Sequence, residues 1–73
     1  MGYQGHKNWN HWNVSLWLFN DEPTYRLVQR AVRISDTLDE AADYILAEMP
    51  PETPDGAPYT FSSVRAALVG WSE

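Results

Sequence analysis

The chain is 73 residues long, 14% aromatic, free of cysteine, and carries a formal net charge of -5. A chain of this size holds one domain and one core, burying only about 60% of its unfolded surface. Without cysteine it has no disulfide framework, no thiolate zinc site and no thiol nucleophile, so stability falls on packing, where large aromatics carry the most apolar area per residue. No apolar run approaches the roughly 20 residues of a membrane helix, and the first residues lack the basic and apolar regions of a secretory signal. A soluble, cytoplasmic protein with no membrane partner is expected. Charge is unevenly spread: residues 1–35 hold four Lys or Arg against two acids (+2), and residues 36–73 one Arg against eight acids (-7). Such polarity holds two halves together or offers an acidic face to a basic partner.

Residues 1–7, "MGYQGHK", have two glycines and little apolar content and read as a flexible arm. The next segment, "NWNHWNVSLWLFND", concentrates three of the four tryptophans, and two readings of it stay open. With a period of two, Trp12, Val14, Leu16 and Leu18 share one strand face. With a helical period, Trp9, Trp12, Leu16 and Phe19 share a stripe, Asn8 caps it, and Asn10 and Asn13 face away. An isolated strand is unstable and no partner strand is evident, so the helix is favoured.

"NDEPTYRLVQRAVRIS" predicts a helix starting at Asn20 or Asp21, with an acid in the first turn and Pro23 early enough to cost little. Tyr25, Val28 and Val32 mark its apolar face, alongside Leu27, Ala31 and Ile34. Glu22 and Arg26 have the favourable i,i+4 order. In "TLDEAADYILAEM", Thr37 and Glu40 have capping-box spacing, and Leu38, Ala41, Ala42, Ile45, Leu46 and Met49 form the core side. Pro50 and Pro51 stop that helix. Residues 50–59, "PPETPDGAPY", predict a stiff, exposed crossing with a turn at Asp55-Gly56. A last helix is read in "SSVRAALVGW", with Phe61, Val64, Leu68 and Trp71 on one face and Gly70 near its end.

The expected fold is all-α: residues 8–73 form a single small domain of three to four short helices. A three-helix domain with an extended N-terminal segment is the competing architecture. The expected core anchors are Trp9, Trp12, Leu16, Phe19, Tyr25, Val28, Val32, Ile45, Leu46, Val64, Leu68 and Trp71. Trp17 lies off the favoured stripe and is set aside for a second layer or a contact surface.

The aromatic block also resembles the N-terminal motif of a family of small, mostly uncharacterised proteins encoded by phages and other mobile elements. In that motif a Trp-Asn-Val core is followed by Leu-Trp, an Asn-Asp or Asn-Glu turn and a Tyr. The matching residues are Trp12, Asn13, Val14, Leu16, Trp17, Asn20, Asp21 and Tyr25, within residues 8–28. What the resemblance implies is a small accessory protein of a mobile element, a setting in which some small acidic proteins inhibit host defence machinery, including CRISPR effectors and restriction enzymes.

The chemistry-bearing residues are sparse. His6 and His11, five positions apart, supply too few converging ligands for a metal site, and neither a metal nor a cofactor is expected. Ser15, Ser62 and Ser63 lack a local histidine partner, and no P-loop or dinucleotide fingerprint is present, so an enzyme is not expected. Arg26, Arg30 and Arg33 make a basic stripe that, beside the tryptophans, invites stacking on nucleic acid. Three arginines against a net negative charge argue against it, and pairing with Asp36, Asp39, Glu40 or Asp43 is the expected use. Taken with the acidic second half, the resemblance implies a non-catalytic protein-binding module, an inhibitor that blocks a nucleic-acid-handling host-defence complex. Asp36, Asp39, Asp43, Glu48, Glu52 and Asp55 would compete with phosphates while Trp17 fixes the docking position. The alternative is a phage or mobile-element structural protein that uses the aromatic block for its core or for self-association.

Overall fold

The computed structural model describes residues 8–72 and is all-helical: α1 (Trp9–Asn20), α2 (Glu22–Ile34), α3 (Leu38–Glu48) and α4 (Phe61–Ser72). The four-helix form of the expected architecture is the one found, and the aromatic block is helix, not strand. The predicted arm at residues 1–7 lies outside the described residues.

Each helix begins where its local chemistry satisfies the first free N–H groups. Asn8 Oδ1 accepts from the His11 N–H at 3.0 Å. One residue, Asp21, separates α1 from α2, and its carboxylate accepts from the Thr24 N–H and hydroxyl at 3.3 and 2.6 Å. Pro23 sits in the first turn of α2, where a missing N–H costs nothing. At α3 the Thr37 hydroxyl accepts from the Glu40 N–H, and the Glu40 carboxylate reaches back to the N–H of Asp36, one residue beyond the usual capping box. At α4 the exchange is between Thr60 and Ser63, each backbone N–H donating to the other's hydroxyl at 3.0–3.1 Å. The helix then runs through Gly70 to Ser72.

In the bundle α1 packs on α2 and α4, and α3 on the same two helices. Val14, Leu18, Val28, Ala31, Ala41, Ala42, Ile45, Val64, Ala67 and Leu68 form the core, and Phe19, Val32, Leu46 and Trp71 pack partly buried against it. At the edge of this core Phe19, Tyr25 and Trp71 meet as an aromatic cluster with all three ring separations at 6.3 Å, Phe19 stacked on Trp71 and Tyr25 edge-on to both. That cluster ties the end of α1 to the start of α2 and the end of α4.

The α1 stripe read from sequence is not the buried one. Trp9 is 38% exposed, and Trp12 and Leu16 are only half-buried outside the core, whereas Val14 and Leu18 are fully buried and Asn13 is 1% exposed. Phe61, placed on the apolar face of the last helix, is exposed as well. The reason is that α1 carries apolar residues on both sides, and its buried side is chosen by what packs on it, here α4, α2 and the crossing. That crossing also differs from expectation: Thr53, Ala57 and Tyr59 are buried within it. It folds as a closed loop, with the Thr53 N–H donating to the Ala57 carbonyl at 2.8 Å, the Gly56 N–H to Thr53 at 2.9 Å and the Tyr59 N–H to Pro51 at 2.9 Å. Gly56 has φ +95°, a conformation that side-chain-bearing residues rarely adopt, and it makes the expected Asp55-Gly56 turn.

Candidate functional site

The crossing grips α1 through a network of side-chain hydrogen bonds. Asn13 and Trp17 lie four residues apart, hence on one helix face. Asn13 Nδ2 and Trp17 Nε1 both donate to Asp55 Oδ2 at 2.9 Å. The Thr53 hydroxyl donates to Asn13 Oδ1 at 2.6 Å and accepts from the Ala57 N–H at 3.1 Å. The Asn13 and Trp17 hydrogen bonds, in that order of effect, hold the Asp55 carboxyl below its ordinary pKa. Asp55, expected to face a partner, is thus engaged inside the chain, although the residue remains exposed. Trp17 is half-buried with its ring fixed in place by that carboxylate.

Next to this clamp is a surface groove of about 190 Å³ lined by Trp17, Asp21, Thr24, Met49, Pro50, Pro54 and Tyr59. The end of α1, the start of α2, the end of α3 and the crossing all contribute to it. Burial, and secondarily the Asp21 charge, push the Tyr59 phenol above its ordinary pKa, so the ring is a neutral wall. The volume is below the roughly 300–1,000 Å³ of a pocket for a drug-sized ligand. It suits one side chain or a ligand of that size.

The remaining expected site residues spread over the surface. Asp36, Asp39, Asp43, Glu48 and Glu52 are exposed. Asp39 pairs with Arg65 of α4, not with the arginines of α2. Arg26, Arg30 and Arg33 are exposed; Arg26 pairs with Glu22 at 3.3 Å, both side chains being largely exposed. The expected exchange between the arginine stripe and the acids of α3 is therefore not made, because α4 supplies the cation to Asp39 instead. Among the described residues Arg30 and Arg33 have no side-chain partner.

The fold also brings together a pair invisible in the sequence. His11 Nε2 and Ser62 Oγ, 51 positions apart, lie 3.4 Å from each other on α1 and α4. This exceeds the roughly 2.6–3.2 Å of an activated nucleophile and its base, and neither residue lines the groove. No group of three or more metal-ligating side chains occurs among the described residues. Among those residues no helix is long and apolar enough to cross a membrane.

The family of unknown function DUF7249 matches the chain over residues 1–68. The chain belongs to DUF7249. No curated protein and no solved structure matches it. The DUF7249 match covers the whole of the Asn13–Trp17–Thr53–Asp55 clamp and every residue of the groove, and it ends before Trp71. Asn13, expected to face away from the core, is instead buried in the clamp, and Thr53 and Tyr59 carried no expected role. The available signal was the four-residue spacing of Asn13 and Trp17 together with a Thr-Pro-Asp-Gly turn rich in side-chain acceptors.

Proposed function

We propose that the protein is a non-catalytic protein-binding module of a mobile genetic element, acting in the host cytoplasm to block a nucleic-acid-handling defence complex through its acidic face. The observation that carries this reading is the disposition of α3 and the crossing. Asp36, Asp39, Glu40, Asp43, Glu48 and Glu52 are all exposed, and the one ion pair they make among the described residues is that of Asp39 with Arg65. Glu40, Asp43 and Glu48 on α3, with Asp36 before it and Glu52 after it, have no ion-pair partner among the described residues, and their negative charge favours encounter with a basic, phosphate-binding channel and competition with nucleic acid. Direct binding to nucleic acid is disfavoured by the same charges.

The test is a pull-down followed by competition between the protein and the nucleic acid of the recovered complex. Asp43→Lys combined with Glu48→Lys is the suitable variant, because neither residue supports another side chain, whereas reversal at Asp39 would set a cation beside Arg65. Partner affinity is expected to fall roughly tenfold, mostly through slower association, with the helical circular-dichroism signal retained. Unchanged binding by the folded variant would reject the acidic face.

A second reading, self-assembly as a structural protein, is favoured by a specific observation. Trp9 and Phe61, 38% and 39% exposed, begin α1 and α4, which pack together. Removal of such rings from water favours a symmetric contact. Light scattering coupled to size exclusion would then show a concentration-dependent dimer or larger species, and a monomer throughout would dismiss this reading.

A further inference from the structure

We propose that the groove between the α1–α2 junction and the crossing receives a lysine side chain of a partner protein. It is lined by Trp17, Tyr59, Met49, Pro50 and Pro54 together with Asp21 and Thr24, and Asp21 is the one acidic residue among them. Aromatic faces, prolines and a thioether accept an alkyl stem, and a ring face beside a carboxylate attracts the cation at its end.

Size and charge both select this occupant. At about 190 Å³ the groove is smaller than a pocket for a drug-sized ligand, with room for one long side chain and too little for a cofactor. The carboxylate separates lysine from a neutral chain such as methionine. It also separates lysine from arginine. Asp21 Oδ2 is committed to the Thr24 N–H and hydroxyl that start α2, so Oδ1 is its remaining acceptor. A guanidinium draws its advantage from two parallel bonds to both oxygens, while an ammonium is a compact point charge that one oxygen satisfies. The geometry is preset: Trp17 is held by Asp55, Tyr59 is packed into the crossing with its N–H on Pro51, and Asp21 is fixed by the cap it makes. Little ordering entropy remains to be lost on binding.

The inference rests on the protein-binding reading but uses none of the α3 carboxylates, and it is decided without the partner. The full chain, labelled with nitrogen-15, is titrated with Nα-acetyl-lysine methylamide, with the norleucine analogue as the uncharged chain of similar length and with the arginine analogue. The Trp17 indole N–H and Asp21 amide signals should shift saturably with lysine, and the norleucine analogue should bind roughly tenfold more weakly. Asp21→Asn keeps a good capping residue and removes the charge, and should weaken lysine binding about threefold while leaving norleucine unchanged. Equal affinity for lysine and norleucine, tighter binding of arginine, an unaltered Asp21→Asn variant, or no saturable shift at Trp17 would each overturn the assignment. Asp43→Lys with Glu48→Lys should not move these affinities, so failure of the acidic face and failure of the groove are told apart.

Discussion

Asn13→Ala should lower the free energy of unfolding by about 2–3 kcal/mol, the sum of a lost buried hydrogen bond and a stranded donor. For a domain of this length, whose total stability is roughly 4–11 kcal/mol, that is a large share. The residue is polar by composition and core by position, at 1% exposed. Its carbonyl accepts a hydrogen bond from the Thr53 hydroxyl at 2.6 Å, and Thr53 is itself buried at 4%. When the amide is deleted, that hydroxyl keeps its bond from the Ala57 N–H but loses its own acceptor where water has no access. The crossing should loosen first. Amide exchange at Gly56 and Ala57 is expected to speed up beyond the global effect, and chemical denaturation monitored by circular dichroism gives the total.

The partner variant separates buried from exposed contributions to the same network. Asp55 accepts from both Asn13 and Trp17, but it is exposed, so solvent replaces its carboxylate after Asp55→Ala and the cost should be well below that of Asn13→Ala. A larger loss at Asp55 than at Asn13 would mean that charge, and not buried satisfaction, holds the crossing. The pH dependence follows from the sign of the shift. The Asp55 pKa is lowered on folding, so its contribution is fully present above the unfolded value of about 3.9 and is lost as pH falls through the folded value. Comparison of Asp55→Ala with the parent chain across that acidic window should show the two stability curves converging as the pH drops.

Helix starts were legible because they depend on neighbours in sequence. Asn8, Asp21 and Thr37 each cap the helix that their spacing announced, and Pro50 follows the end of α3 as a helix breaker would. The faces of α2 and α3 were also readable, since Val28, Ala31, Ala41, Ala42 and Ile45 recur with a helical period against charged neighbours. The groove and the clamp were not. They join positions about 40 residues apart, such as Asn13 with Thr53 and Trp17 with Asp55, and nothing in a local pattern specifies that an asparagine will find a threonine across the fold. Burial of a polar residue depends on its partner, and partners at that distance are a product of topology. The pairing of Asp39 with Arg65 was missed for the same reason: proximity in sequence pointed to the arginines of α2, and the bundle order put α4 beside α3.

Leu18→Ala is the sharpest test of how α1 is turned, with an expected loss of about 3 kcal/mol, within the 2–5 kcal/mol typical of a large-to-small change in a closed core. At about 4–8 °C per kcal/mol, the melting temperature should fall by about 12 °C or more. Leu18 is fully buried among the core residues, so truncation leaves a cavity that the helices, clasped by the crossing and the aromatic cluster, have little freedom to close. Leu16, two positions away, is rotated by roughly 200° about the helix axis and is half-buried outside the core. Leu16→Ala should cost about 1 kcal/mol or less, and Trp9→Ala, at the exposed start of the helix, within about 0.5 kcal/mol. The stripe read from periodicity alone predicts the reverse order, with Leu16 and Trp9 as anchors and Leu18 dispensable. Both sides of α1 are apolar enough to be a core face, so hydrophobicity alone does not choose between them. Asn13 and Trp17 break the tie: flanking Val14 and Leu18, they can bond the crossing only when that side faces inward, and a one-sided loss at Leu18 is the thermodynamic mark of that choice.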